Sequence, residues 1–148
     1  MDTGEVLIME YKKFGNTIVV KVGRGEEVLA SVKEVCKKEN VKCASFTGLG
    51  AAGHVVVGLY KVAERKYCSN TFDGEMEMTS LTGNVSEKDG EVYLHCHANF
   101  AKADSSVVGG HLSEAVISGA CEIFINIVNG HVGRKADDAT GLNVFDFS

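Results

Sequence analysis

The chain of 148 residues carries 20 acidic side chains against 15 lysines and arginines, a formal charge of −5. That length suits one domain with its own core, and the acidic balance opposes attraction of the whole surface to nucleic acid or anionic membrane. Hydrophobic residues at 45% beside 24% charged exclude a disordered chain, while seventeen glycines without proline or tryptophan point to tight turns and β structure.

Taken in chain order, residues 6–14 mix apolar side chains with Lys12 and Lys13. Gly15-Asn16 supplies a turn before the β-branched run 17–22, which is a hairpin signal. Val28, Leu29, Val32, Val35 and Cys36 then recur at helical spacing. Glu26 and Glu27 lie ahead of them, Lys37 and Lys38 close the last turn, and Asn40 marks the stop. Strands are expected at 41–46 and 55–62 around a glycine loop at 48–53, and again at 66–72, 76–85 and 91–100, with Asp89-Gly90 as a turn. Residues 107–119 form a glycine-containing separator before a strand at 120–128; Asn129-Gly130 turns the chain, and 142–147 returns to the sheet. The sum is an α+β fold, one helix-covered, largely antiparallel sheet spanning residues 1–148.

Five cysteines, odd in number and without C-x-x-C spacing, fit a reducing compartment and argue against a disulfide framework. The acidic start Met1-Asp2-Thr3-Gly4-Glu5 has no signal-peptide pattern. The most apolar window, residues 41–60, holds Lys42, His54 and four glycines, so it reads as strands and not as a membrane span. A cytoplasmic protein is the expectation.

Gly48-Leu49-Gly50-Ala51-Ala52-Gly53 fits G-x-G-x-x-G, yet a β-branched run follows where a dinucleotide site needs a helix N-terminus. The motif therefore reads as a strand connection in which glycines permit positive φ. No G-K-[ST] phosphate loop and no G-x-S-x-G elbow occur, and three arginines (Arg24, Arg65, Arg134) are few for bidentate phosphate clamping. Gly23-Arg24-Gly25 is similar to the centre of an AT-hook, but it runs straight into two glutamates.

More informative is His95-Cys96-His97 with Gly109-Gly110-His111. On a strand, His95 and His97 share one face while Cys96 takes the other. A third imidazole from a glycine-shaped segment completes three nitrogens for one divalent metal, the ligand number of an open catalytic zinc site. Imidazole equally suits nickel, copper or iron, and unrelated histidines on an exposed strand face are the bland alternative. His54 and His131 read as a partly buried polar group and a surface turn residue. In Gly74-Glu75-Met76-Glu77-Met78 the two glutamates share a face; Glu77 is the candidate general base or partner to a ligating histidine.

These segments together, with Thr47-Gly48-Leu49-Gly50-Ala51, Leu81-Thr82-Gly83-Asn84-Val85 and Thr140-Gly141-Leu142, resemble the PPC domain, the plants-and-prokaryotes-conserved domain, in its stand-alone prokaryotic form. The resemblance covers residues 11–147. It implies a sheet flanked by helices, a homotrimer with strands packing at the interface, and a metal on His95, His97 and His111; the three-imidazole donor set makes zinc the leading choice. Arg24 is then a candidate counter-charge to an anionic small-molecule ligand. The plant members carry AT-hooks and bind DNA; this chain has no AT-hook, and Glu75 stands where they have arginine. DNA binding through Lys12-Lys13, Lys37-Lys38 or Arg65-Lys66 therefore ranks second, and a purely structural role third.

Overall fold

β-branched and aromatic residues build eight strands, which one helix covers. The computed structural model describes residues 9–148: β1 (Glu10–Phe14), β2 (Thr17–Val22), α1 (Val28–Lys38), β3 (Ala44–Lys61), β4 (Lys66–Lys88), β5 (Glu91–Ala101), β6 (Val107–Ile127), β7 (Gly133–Ala136) and β8 (Asn143–Asp146). The start of the first expected strand, residues 6–8, and the acidic residues 1–5 lie outside the described residues. The fold is α+β, but strand-rich with a single α-helix among the described residues, where flanking helices in the plural were expected. That helix is too short to cross a membrane.

β3, β4, β5 and β6 pair in a closed cycle: β3 with β4 and β6, and β5 with β4 and β6. β2 extends the sheet beyond β6, and β1 forms its outer edge. Every ladder is antiparallel except one parallel bridge, Glu87 to Gly133, which hangs the β7–β8 hairpin on β4. Phe46, Phe100, Met78, Leu81, Ile117 and Ile123 are sealed inside.

α1 closes the core from outside against β6, β5 and β2. Its buried stripe includes Val28, Val32 and Val35, all fully inaccessible, and each such burial contributes about 1.5–3 kcal/mol. Both helix ends follow from the sequence. The Glu27 carboxylate accepts from the N–H groups of Leu29 and Ala30 and also from Ala115 on β6, so one side chain caps the helix and ties it to the sheet. At the other end Val41 N–H donates to the Cys36 carbonyl and Asn40 N–H to that of Lys37, with Asn40 at φ 52°, which is a Schellman stop.

Three expected breaks are strand. β3 runs unbroken through Gly48–Gly53, with register shifts between Gly48 and Gly50 and between Ala52 and His54. None of these glycines has positive φ. Their role is close approach: a Cβ on Gly50 would lie 2.5 Å from the Ala120 carbonyl oxygen, and one on Gly48 2.8 Å from that of Glu122. β4 likewise continues through Gly74, at φ 113°, and β6 absorbs the expected separator at 107–119. The Asp89-Gly90 turn stands as expected, with φ of 52° and 79°. No helix follows the G-x-G-x-x-G run, so its dinucleotide reading falls.

Candidate metal centre

β5 presents Tyr93, His95 and His97 on one face by simple alternation, while Cys96 between the histidines is buried in the core. β6 brings His111 directly opposite His97 in the antiparallel register. Gly109 and Gly110 make that approach feasible. A Cβ on Gly109 would meet the Ala98 carbonyl oxygen at 2.4 Å, and one on Gly110, at φ 145°, would meet that of Gly58 at 2.5 Å. Glycine at both places lets β6 slide into contact with β5 and β3 together.

The ligand-capable nitrogens of His95, His97 and His111 all lie within 4.8 Å of one another. The Nε2 atoms of His95 and His97 are 3.2 Å apart. Ligand nitrogens of a tetrahedral zinc site, at about 2.0–2.1 Å from the metal, stand about 3.3 Å from each other, so this pair has a chelating separation. Ring centroids of 5.0, 5.6 and 5.8 Å describe three imidazoles gathered around one point.

The histidines form one side of a cavity of about 620 Å³. Tyr60 and Tyr67 stand beside them, Tyr67 with its ring centroid 5.0 Å from that of His111. The β7–β8 hairpin forms the facing wall and contributes Arg134, Leu142, Asn143, Val144 and Phe145. Among the described residues, no aspartate or glutamate lines the cavity.

Burial lowers the pKa of His95, and the neighbouring His97, His111 and Arg134 charges push it the same way. Burial and His97 likewise lower that of His111. Both rings are therefore held in the neutral form, which has a lone pair for a metal. Cys96 takes no part: burial pushes its thiol up to about 12.

The other sequence candidates lie elsewhere. Met76 and Met78 are buried and Glu75 and Glu77 exposed, as the alternation predicts. Glu77, however, lines a separate depression with Ala51, Lys102 and Ser118. It is five residues along β4 from Thr82, the partner of His97, or roughly 15 Å of strand. Arg24 is exposed in the turn ahead of α1 and does not line the histidine cavity. His54 is bound to Asp73, and His131 to Glu87 at 2.9 Å. Arg134 was missed by sequence reasoning. Its only sequence signal is that it is one of three arginines and lies near the Thr140-Gly141-Leu142 segment.

The model of the Plants and Prokaryotes Conserved (PCC) domain matches residues 9–129, and the chain belongs to this family. Among solved structures it is similar to a protein of Bacteroides thetaiotaomicron named provisionally as DNA-binding, at 32% identity and TM-score 0.91, covering 94% of this chain and 97% of that one. It is also similar to a plant- and prokaryote-conserved protein of Pyrococcus horikoshii, at 30% identity and TM-score 0.82, covering 99% and 97%. A third, from Archaeoglobus fulgidus, is described as metal-containing; it is 29% identical with TM-score 0.84, covering 93% and 97%. No curated protein matches the chain.

Proposed function

We propose that this protein binds a divalent metal, zinc in first place, through His95, His97 and His111, and uses it to hold a small ligand in the adjoining cavity. The observation that carries this reading is the convergence of three imidazoles within 4.8 Å beside a cavity of about 620 Å³. Three protein nitrogens leave a fourth position open, the arrangement of metal sites that accept an exogenous oxygen. A bound divalent metal supplies Lewis acidity to whatever occupies that position. The metal-containing relative from Archaeoglobus fulgidus supports the same reading.

Zinc titration of chelator-treated protein, followed by calorimetry, tests it. One zinc per chain is expected, lost in His111→Ala while circular dichroism is unchanged; retention of zinc in that variant overturns the ligand set. A screen of hydrolytic substrates on zinc-loaded protein tests catalysis.

The homotrimer belongs to this proposal too. Leu49 on β3 and Phe124 on β6 share one depression and are 55% and 50% exposed, apolar surface of the kind a second copy covers. Light scattering at three chain masses is the expected result. A cytoplasmic location is supported by five cysteines that are all free, three of them buried. DNA binding stands as the second reading, supported by the name of the Bacteroides relative. Of the basic pairs it would use, Lys37 and Lys38 already face Glu91 and Glu34, and Arg65 donates to the Asp138 carbonyl. Affinity for duplex DNA that falls steeply with salt would favour it over the metal reading.

A further inference from the structure

The family match ends at residue 129, yet five of the fifteen residues around the histidine cavity come from the β7–β8 hairpin beyond it. The hairpin therefore adds something to the metal centre that the matched region does not contain. What it adds is one cation and an apolar wall.

Arg134 is fixed with care. Its Nε donates to the Ser86 hydroxyl at 2.8 Å, Nη1 to the Asn143 carbonyl at 3.1 Å and Nη2 to Asn84 Oδ1 at 3.0 Å. The guanidinium also packs on the rings of Tyr93 and Phe145, at 4.7 and 4.3 Å from their centroids. Each of these acceptors is neutral, so among the described residues the charge has no carboxylate partner, and one N–H on each terminal nitrogen is left over. Asn84 is the cross-strand partner of His95, which places the guanidinium one residue pair from the metal ligands.

The charge count then decides the ligand's sign. A divalent metal on neutral imidazoles plus one guanidinium gives three positive charges facing a cavity that no carboxylate among the described residues lines. Such an excess in a partly dehydrated site calls for an anion. One arginine, with no lysine and no helix N-terminus in the lining, suits a planar monoanion better than a phosphate dianion. Leu59, Leu142, Val144 and Phe145 offer apolar surface for the remainder of the molecule.

We infer that the β7–β8 hairpin makes this cavity a receptor for small organic carboxylates, the carboxylate held by Arg134 beside the metal and the apolar body by Leu142, Val144 and Phe145. This rests on the metal reading, and it adds Arg134 as the determinant of ligand class.

Calorimetric titration of zinc-loaded protein with 3-phenylpropionate, its neutral amide and inorganic phosphate tests it, with zinc content measured separately on each sample. The acid is expected to bind and the amide and phosphate to bind far more weakly. Arg134→Gln should weaken the acid by about tenfold or more without changing zinc content. Because Arg134 also ties the hairpin to β4, Leu142→Trp serves as a second variant; it leaves the guanidinium in place, fills the cavity and should weaken the acid alone. Amide binding as tight as the acid, phosphate binding in its place, or wild-type binding in both variants overturns the inference. Should zinc fail to bind, the metal reading falls by itself. Arg134-dependent binding of the acid to metal-free protein then still supports the carboxylate site, and its absence sinks that as well.

Discussion

Two histidine sites lie on neighbouring strands of the same sheet and are built in opposite ways. His95, His97 and His111 face one another and Arg134 across a cavity that no carboxylate among the described residues lines. His54 on β3 instead sits between two acids, with Nδ1 2.6 Å from Asp73 and Nε2 3.8 Å from Glu114. Burial and like charge lower the pKa of His95, whereas a hydrogen bond to Asp73 raises that of His54. An imidazole kept neutral has a lone pair to give, while one drawn toward the protonated form has it less available. The contrast shows that the neighbours, more than the residue type, separate a candidate ligand from a surface ion pair.

The largest expected break in this comparison comes from Gly110→Ala. Its φ of 145° and a Cβ 2.5 Å from the Gly58 carbonyl oxygen leave no room for a side chain. Urea denaturation should show a loss of about 3 kcal/mol, and zinc affinity should fall as His111 is displaced. Unchanged stability would mean that β6 does not approach β3 as closely as the structure has it.

Proton NMR titration of the metal-free protein sharpens the contrast. His95 and His111 should titrate below the ordinary imidazole midpoint of about 6.5, and His54 above it. The signs carry into stability. A lowered imidazole pKa means that the unfolded chain binds the proton more readily, so the contribution present above about pH 6.5 is lost as pH falls through the folded value. His54 acts the other way; its contribution is full below about pH 6.5 and fades as pH rises through its raised pKa. Melting temperatures between pH 7 and pH 5 should therefore fall more steeply for metal-free wild type than for a His95→Ala/His111→Ala variant. Equal slopes would remove the proposed electrostatics.

Asp73→Asn is a smaller perturbation. It should draw the His54 midpoint back toward the ordinary value and leave His95 where it was. Raised salt should have the smallest effect, shifting His54 more than the sheltered histidines, because exposed pairs are screened first.

Much of the site was legible in the sequence because strand alternation is strict. His95 and His97 share a face, Cys96 turns inward, and His111 behind two glycines invites a close approach. The helix was legible from its valine spacing, its glutamate start and its asparagine stop. Glycine was the misleading residue. Gly48, Gly50 and Gly74 read as breaks, while the structure uses them inside long strands where backbones cross closely or bend. β7 carried no signal, since Gly133-Arg134-Lys135-Ala136 has neither alternation nor β-branched residues. Arg134 therefore lacks a sequence pattern that marks it, whereas Arg24 stands between two glycines yet lies in the turn ahead of α1, away from the cavity. Alternation marks the face of Glu77, but it cannot say how far along a 23-residue strand the three histidines fall.

The central claim is tested most directly by the metal content per chain of untagged, freshly purified protein, measured by mass spectrometry beside a His95→Ala/His97→Ala variant. The account predicts close to one divalent metal per chain in the wild type and almost none in the variant. Metal-free wild type that also refuses added zinc, nickel and iron, or a variant that keeps its metal, would contradict it.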